Sequence, residues 1–512
     1  MKVLTGAQMR AVDQATINLG IPGLILMETA AHRCVEYIAE KFPPVQAQRI
    51  VVVCGKGNNG GDGLAIARQL QIRFRPAELR VILACDPAEL SGDAAQNLAM
   101  LHAVGIIPVR RSTPEMATTT LVVDAILGTG TTGAARGEAL EAIRAINSGF
   151  PIAKVLSVDL PSGLCSDSGS IPGEYVSTDA TVTFTAPKPC HVLPPAVHLM
   201  GDLNIVDIGS PTHLYDREPS IRLSLATKHQ IARLFAPRAT DSNKGRFGHV
   251  LVVAGSRGKS GAAAMAGIAA LRAGAGLVTV ACPESALQSV AQYAPEIMTE
   301  PLPETPGGTL ASQALARIVE LSATRTVVAI GPGIGLSPQT RQLTIDLFRK
   351  LERPLILDAD ALNCIAGQDW HGGTHPRILT PHPGEMSRLT GLSIPEIQAD
   401  RLEVARALAT SRNAMVVLKG ERTVTAMPDG QLWINPTGCP AMATAGTGDI
   451  LTGMISGFLA QFPHQPDLAV TAAVYLHGLC GELASDEFSE QSVVATDLLQ
   501  VIHKGIRAIA NI

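Results

Sequence analysis

Nine residues, GKGNNGGDG at 55–63, place glycines, amides and a carboxylate between an apolar run and a helical one. Glycines permit a close approach of the backbone to a ligand, and a helix start offers free N–H groups to an anion. A tight strand–helix turn would explain two of the glycines but not the Asn-Asn-Gly-Gly-Asp core. We therefore predict a ligand-binding loop. The Gly61-Asp62-Gly63 end of the segment places a carboxylate where a close-packing glycine is expected, which argues against an ordinary nicotinamide-dependent dehydrogenase.

Two more carboxylates end predicted strands in this part of the chain. Asp124 precedes Gly128-Thr129-Gly130, and Asp159 precedes Pro161-Ser162-Gly163. Ligands of open α/β sheets bind at the carboxyl ends of the strands, so these loops should meet 55–63 in one crevice. Either aspartate alone could be only a helix cap. Carboxylate, Asn and Ser oxygens together also suit a hard monovalent or divalent cation.

A second candidate site is ATAGTGD at 443–449, followed by an apolar helical run at 451–460. Small residues let a helix N-terminus approach an anion, and Asp449 could take a proton from a hydroxyl held nearby. A helix cap at Asp449 would not account for the preceding Gly-Thr-Gly. Upstream, GSRGKSG at 255–261 resembles a Walker loop, but its Gly-Lys-Ser comes two residues too early for that motif.

Further polar motifs follow predicted strands in the second half of the chain. They are GPGIG at 331–335, DAD at 358–360, TPHPGE at 380–385 and KG at 419–420. His382 has a proline on each side in a predicted loop. We therefore expect it to contact a ligand rather than pack in the core.

Short β-branched runs alternate with Ala- and Leu-rich helical stretches, which indicates doubly wound parallel sheets. The strands are continuous apolar runs, as expected where helices cover both faces. They are predicted at 49–54, 79–84, 121–126, 155–159, 181–185, 203–208, 249–254, 277–281, 326–330, 355–357, 378–380, 415–418, 424–428 and 431–435. Helices are predicted at 63–73 and 94–105, among others. The polar segment 209–220 is interpreted as a linker, giving α/β domains at 1–215 and 221–512.

Composition excludes several classes of partner. With 41 Lys+Arg against 45 Asp+Glu and only 3% aromatics, the chain lacks the basic excess and stacking platforms of a nucleic-acid-binding protein. No unbroken apolar stretch approaches the roughly 20 residues of a membrane span, and no export signal is evident. Nine scattered cysteines without a CxxC pair argue against disulfides and structural zinc. We therefore expect a cytoplasmic protein without membrane or nucleic-acid partners.

Taken together, these motifs resemble the bifunctional NAD(P)HX repair enzymes, in which an epimerase domain precedes an ADP-dependent dehydratase domain. The resemblance spans nearly the whole chain and is carried by GKGNNGGDG (55–63), VDLPSG (158–163), GHVLVVAGSRGKSGAAAMAG (248–267), GAGLVTVACP (274–283), GPGIG (331–335), LDADALN (357–363), TPHPGEMSRL (380–389), LKG (418–420) and MATAGTGD (442–449). It implies two three-layer α/β domains. The first would be Rossmann-like and the second ribokinase-like.

The resemblance also implies site residues. In the first domain the hydrated nucleotide would contact Asn58, Asn59, Gly60, Gly61, Asp62, Gly128, Thr129, Gly130, Thr131, Thr132, Gly133 and Ala134, with Asp159 as substrate contact and catalytic group. A potassium ion would be held by Asn59, Asp124 and Ser162. In the second domain the substrate would contact Ala263, Gly333, His382 and the catalytic Asp449. ADP, with Mg²⁺ on its phosphates, would contact Lys419, Gly420, Glu421, Arg422, Thr423, Gly446, Thr447 and Gly448.

The implied activity is repair of hydrated NADH and NADPH, whose 6-hydroxy ring exists in R and S forms. Asp449 would activate the S-form hydroxyl, phosphoryl transfer from ADP would make it a leaving group, and elimination would restore NAD(P)H with AMP and phosphate as by-products. The first domain would interconvert R and S, with Asp159 shuttling a proton, in a homo-oligomeric enzyme. One alternative is a ribokinase-like small-molecule kinase fused to a nucleotide-binding domain, which would release a phosphorylated product. The other is a nucleotide sensor, which would need no proton acceptor.

Overall fold

The computed structural model describes residues 1–510, which form two compact units. The N-terminal unit comprises Met1–Leu223, and the C-terminal unit begins at Ser224. Both combine helices with a sheet that is wholly parallel in the N-terminal unit and mostly parallel in the C-terminal one, so the predicted α/β class is confirmed.

The N-terminal unit has a six-stranded sheet in the order β2-β1-β3-β4-β5-β6, parallel throughout. Ile50 and Val52 belong to one buried cluster, whereas Val51 and Val53 belong to another, so helices cover both faces in three layers. The strands are β1 Arg49–Cys54, β2 Glu78–Leu83, β3 Leu121–Ala125, β4 Lys154–Val158, β5 Ala180–Phe184 and β6 Asp202–Val206. The helices are α1 Gly6–Asn18, α2 Gly23–Lys41, α3 Asn58–Arg73, α4 Gly92–Ala103, α5 Gly137–Gly149, α6 Pro189–Val192 and α7 His213–Asp216.

The C-terminal unit is built on a ten-stranded sheet in the order β10-β9-β8-β11-β12-β13-β14-β15-β16-β7. Val250 and Val252 pack into one cluster, and Leu251 and Val253 into another, so this sheet is also covered on both faces. The strands are β7 Leu223–Leu225, β8 His249–Val253, β9 Leu277–Pro283, β10 Met298–Leu302, β11 Val327–Ile330, β12 Leu355–Leu357, β13 Arg377–Leu379, β14 Met415–Leu418, β15 Val424–Ala426 and β16 Leu432–Ile434. The helices are α8 Lys228–Ala232, α9 Ser260–Arg272, α10 Glu284–Ala291, α11 Ala314–Ser322, α12 Pro338–Lys350, α13 Asp360–Ile365, α14 Pro383–Thr390, α15 Ile394–Ala399, α16 Arg401–Arg412, α17 Thr447–Gln461, α18 Pro466–Phe488 and α19 Ala495–Ala510.

Every predicted strand is present, and the predicted hairpin is the antiparallel pair β15–β16. Two strands were not predicted. The strand β7 has three residues, and β10 lies at the sheet edge, where Pro301 is tolerated because one side of the strand needs no hydrogen-bonding partner. Their sequences therefore lack the apolar runs of the central strands.

The segment 209–220, interpreted as a linker from its polar composition, is partly helical and packs against the N-terminal unit. It contains α7, and Leu214 and Tyr215 pack against Leu4 and Met9 of the N-terminal unit. A single helical turn is too short to produce a periodic pattern, which is why the sequence did not reveal it.

One helix among the described residues, α18, is long and apolar enough to cross a membrane. However, 67% of its most apolar stretch is buried inside the protein, where it packs beside α17 and α19. Its apolar composition therefore reflects burial in the core of the C-terminal unit.

Candidate active sites

The N-terminal unit has a cleft of about 630 Å³ at the carboxyl ends of its strands. The loops after β1, β3 and β4 all contribute to it, as expected from their positions in a parallel sheet. The predicted site residues that line it are Asn58, Asn59, Asp62, Gly128, Thr129, Gly130, Thr131 and Asp159. Gly60, Gly61, Thr132, Gly133 and Ala134 are not among the lining residues.

The glycine-rich segment forms the first turn of α3, which begins at Asn58 rather than at Gly63 as predicted. A Cβ on Gly60 would lie 1.8 Å from the carbonyl oxygen of Gly55, and one on Gly63 would lie 2.6 Å from the Cβ of Ala125. Gly63 therefore performs the close packing of helix on strand that the sequence argument assigned to the position of Asp62. These two glycines are required for packing rather than for ligand contact.

Asp159 is paired with a lysine that the sequence analysis missed. Lys188 Nζ donates to Asp159 Oδ1 at 2.7 Å and to Thr183 Oγ1 at 2.8 Å, and the side chain is only 1% exposed. Burial favours the neutral carboxyl, but the Lys188 ammonium outweighs it and lowers the pKa of Asp159 below its ordinary value. The sequence offered one indication of this pairing. Asp159 follows β4 and Lys188 follows β5, and these two strands are neighbours in the sheet.

The three predicted cation ligands are linked through Leu127. Asn59 Nδ2 donates to the Leu127 carbonyl at 2.9 Å, while the Leu127 N–H donates to Ser162 Oγ at 2.9 Å. Ser162 Oγ donates to Asp124 Oδ1 at 2.6 Å, and Asp124 is fully buried. The remaining oxygen, Asn59 Oδ1, is buried without a hydrogen-bonding partner. An unpaired amide oxygen on a residue linked through Leu127 to a hydroxyl and a carboxylate fits a hard cation.

In the C-terminal unit, 443–449 leads into α17 as predicted. Gly446 is the N-cap residue with φ 95°, and a Cβ there would lie 2.7 Å from Met265 Cε. Thr447 and Gly448 are the first helical residues, and Asp449 follows in the same turn. Burial, assisted by the charge of Asp358 and opposed by Lys419, raises the pKa of Asp449 to about 7. Asp449 can therefore accept a proton near neutral pH.

Beneath this helix start lies a buried ion pair. Lys419 Nζ is 2.8 Å from Asp358 Oδ1 and 3.7 Å from Glu385 Oε2. Asp358 also accepts hydrogen bonds from Thr380 and Thr452. Burial opposes both charges, but their attraction prevails, so the pKa of Asp358 is lowered and that of Lys419 raised.

Lys419 is close enough to this helix start to act on an anion bound there. A Cβ added to Gly448 would lie 3.5 Å from Lys419 Nζ. The pair therefore places a fixed positive charge below the backbone N–H groups at the beginning of α17.

The other residues predicted to bind ADP form the turn between β14 and β15. Thr423 Oγ1 donates to the Gly420 carbonyl, and Arg422 donates to the carbonyl of Pro436. Glu421 is exposed at the tip of this turn. The side chains of Arg422 and Thr423 are thus engaged in holding the turn, which leaves its backbone as the surface that can face a ligand.

His382 is half-exposed and caps α14, its Nδ1 accepting from the Gly384 N–H at 2.9 Å. It is therefore not a packed core histidine. Gly333 lies against Lys259 and Ala262 at the beginning of α9. Ala263 is fully buried in the first turn of α9, and its contact with the substrate stays a prediction.

Each of the two α/β units has an acidic group at a glycine-rich helix start. This combination defines a two-domain enzyme that binds nucleotides. Residues 250–504 match the family model described as NAD(P)H-hydrate dehydratase, and residues 23–190 match the one described as YjeF-related protein N-terminus. The chain is 42% identical to the bifunctional NAD(P)H-hydrate repair enzyme Nnr of Moorella thermoacetica, covering 98% of this chain and 96% of the relative. It is 34% identical to the protein of that name from Escherichia coli, covering 97% and 92%.

Solved structures resemble the C-terminal unit. The ADP/ATP-dependent NAD(P)H-hydrate dehydratase of Bacillus subtilis, co-crystallised with ATP and Mg²⁺, is 35% identical with a TM-score of 0.51, covering 56% of this chain and 98% of that one. A ribokinase-like superfamily protein of Enterococcus faecalis is 28% identical with a TM-score of 0.50, covering 57% and 97%. This chain belongs to the family of bifunctional NAD(P)H-hydrate repair enzymes. The predicted family, enzyme class, and Rossmann-like and ribokinase-like folds are confirmed.

Proposed function

We propose that the C-terminal unit dehydrates the S form of hydrated NADH and NADPH with ADP, and that the N-terminal unit interconverts the R and S forms. The observation that carries the proposal is the position of Asp449, in the first turn of α17 above the Lys419–Asp358 pair. A proton acceptor with a pKa of about 7 beside an anion-binding helix start suits activation of a hydroxyl for phosphoryl transfer.

In this proposal Asp449 takes the proton of the substrate's 6-hydroxyl group, and the hydroxyl oxygen attacks the β-phosphorus of ADP. The N–H groups of Gly446, Thr447 and Gly448 and the charge of Lys419 stabilise the transferring phosphoryl group. Loss of phosphate from C6, with a ring proton, then restores the double bond. The Lys419–Thr423 turn contacts ADP, whereas Ala263, Gly333 and His382 contact the hydrated nicotinamide nucleotide.

Mg²⁺ would neutralise phosphate charge in this reaction. Within residues 1–510, no group of three or more His, Cys, Asp or Glu side chains could hold a metal ion. We therefore propose that Mg²⁺ is held chiefly by the nucleotide phosphates. The co-crystallisation of the Bacillus relative with ATP and Mg²⁺ is consistent with this arrangement.

In the N-terminal unit, the cleft would hold the hydrated ring beside Asp159, with the nucleotide along Asn58–Asp62 and Gly128–Ala134. Asn59, Asp124 and Ser162 would hold potassium, which would supply positive charge near the substrate's phosphates. The unpaired Asn59 Oδ1 supports this assignment. A cytoplasmic location and homo-oligomeric assembly stay predictions from the sequence.

The test is recovery of reduced-nicotinamide absorbance from a mixed R/S sample of hydrated NADH, with Mg²⁺ and either ADP or ATP. We expect full recovery with ADP, and recovery of the S fraction alone once Asp159→Ala slows interconversion. A stable phosphorylated product without recovery would instead establish the kinase alternative. Faster recovery with ATP than with ADP would overturn the assignment of the phosphoryl donor.

A further inference from the structure

The helix α1 lines one wall of the N-terminal cleft and places a carboxyl group there that the sequence analysis did not single out. Met9, Arg10, Asp13 and Ile17 of this helix line the cleft. Asp13 Oδ1 is buried and has no hydrogen-bonding partner among residues 1–510. An unsatisfied buried carboxyl oxygen costs free energy unless a ligand or a proton compensates for it. Its position in a substrate cleft therefore suggests a functional role.

Three charged or titratable groups from other elements interact electrostatically with Asp13. They are Asp62 of α3, Asp159 after β4 and Lys188 before α6. The lysine is already bonded to Asp159 at 2.7 Å, so Asp13 has no counter-ion of its own there. Burial raises the pKa of Asp13 to about 6, with Lys188 opposing and Asp159 adding to the rise.

Three interacting carboxyl groups line the cleft and differ in protonation, because burial raises the pKa of Asp13 and of Asp62 whereas that of Asp159 is lowered. Of the two with a raised pKa, Asp13 is the one with a buried oxygen that has no hydrogen-bonding partner among residues 1–510. Lys188 keeps Asp159 ionised, whereas Asp13 retains its proton to higher pH. Two titratable groups whose surroundings push their protonation equilibria apart are the usual arrangement of a general acid and a general base. Asp13 enters the cleft from α1, whereas Asp159 enters it from the carboxyl end of β4.

We propose that Asp13 is the general acid of R/S interconversion and that Asp159 is its general base. This inference rests on the proposed epimerase function of the same cleft.

The step balances without any oxidant or reductant. Asp13 gives its proton to the 6-hydroxyl, and the C6–O bond breaks as its electron pair leaves with the new water molecule. The lone pair of the ring nitrogen forms a double bond to C6. A water molecule then adds to the other face of C6 and gives a proton to Asp159. C6 is inverted at an unchanged oxidation level, and proton exchange with solvent resets both carboxyl groups.

The experiment uses the full-length chain with Asp449→Asn, so that the S form is not consumed. Pure R form is mixed with this protein, and its conversion to an R/S mixture is followed by chromatography above the uncatalysed rate. Adding Asp13→Asn should lower kcat by about 100-fold or more, the usual contribution of a general acid. Asp13→Glu should restore part of the rate, and Asp216→Asn, on exposed α7, serves as the matched control with no effect.

Two readouts separate the acid from a merely structural residue. In the parent protein the rate should fall as the pH rises through about 6, the pKa of Asp13, and this decrease should vanish in Asp13→Asn. Asp13→Asn with an undiminished kcat, or with only a raised KM, would overturn the inference while leaving the epimerase function standing. Absence of interconversion in the parent protein would instead refute the proposed function itself.

Discussion

Lys419 Nζ lies 2.8 Å from Asp358 Oδ1, below the helix turn that carries Asp449. The two partners come from the ends of different strands, β14 and β12, and Thr380 and Thr452 fix the Asp358 carboxylate from two further elements. The ammonium is therefore held in one place before any phosphate arrives. Preorganised charge of this kind stabilises a transition state without reorganisation during the reaction.

Replacing Lys419 by Met should abolish dehydration and destabilise the C-terminal unit. Removal of one partner of a buried ion pair leaves the other charge uncompensated, at a cost of about 3–5 kcal/mol. Chemical denaturation gives the stability change, and recovery of reduced-nicotinamide absorbance gives the activity. Lys154→Met, which removes an exposed pair with Asp179, is the control and should change neither quantity appreciably. Full activity in Lys419→Met would contradict the placement of the charge.

Dehydratase activity should rise with pH through about 7. The proton acceptor is the ionised form of Asp449, whose pKa lies near that value because the carboxyl is buried close to Asp358. The pH profile of kcat/KM reports this group in the free enzyme. Asp449→Asn should reduce the rate by about 100-fold or more, as expected for loss of a general base. A flat profile from acid to neutral pH would argue against Asp449 as the base.

The same pKa has a consequence for stability. The folded-state pKa of Asp449 lies above its ordinary value, so its contribution to stability is fully present below that ordinary value and is lost as the pH rises through about 7. Asp449→Asn removes this dependence. Thermal unfolding above and below pH 7 should therefore show the variant gaining stability relative to the parent on the alkaline side. A constant difference across this range would contradict the raised pKa.

Lys188→Met should stop R/S interconversion and leave dehydration of the S form intact. Without the lysine, burial dominates and Asp159 becomes protonated, so it cannot act as a base. Chromatography of R and S forms measures the first activity, and absorbance recovery from pure S form measures the second. Loss of both activities would indicate a general folding defect rather than a specific role.

Gly60→Ala should destabilise the N-terminal unit, because its Cβ would meet the Gly55 carbonyl oxygen at 1.8 Å. Overpacking against backbone costs about 1–3 kcal/mol or more. Gly149→Ala, at the end of α5 with open space around it, is the matched control and should be neutral or slightly stabilising. The measurement is the denaturant midpoint of unfolding of each variant. Equal midpoints for Gly60→Ala and Gly149→Ala would refute the packing role of Gly60.

The strand ends and helix starts that depend only on neighbouring residues in the chain were predictable from the sequence. Apolar runs that stop at a carboxylate mark the ends of β3, near Asp124, and of β4, just before Asp159. A glycine likewise marks the start of α17 at Gly446. Parallel topology then brings these ends together, so the convergence of the loops was predictable as well.

Pairings between distant residues were not predictable in this way. The sequences around Lys188 and Asp13 contain no motif. Only the tertiary structure shows that Lys188 pairs with Asp159 and that Asp13 Oδ1 is without a partner among the described residues. The packing role of Gly63 was likewise assigned to a neighbouring position, because a helix start cannot be located to the residue from sequence.

The start of α3 at Asn58 also affects the thermodynamics of ligand binding. The wall of the cleft formed by Asn58, Asn59 and Asp62 is a turn of helix whose backbone is already fixed by glycine packing. A ligand that binds there has little conformational entropy to remove from this wall. The loop after β3, which is exposed at 132–134, must supply most of the ordering. The entropic cost of recognition therefore falls mainly on that loop.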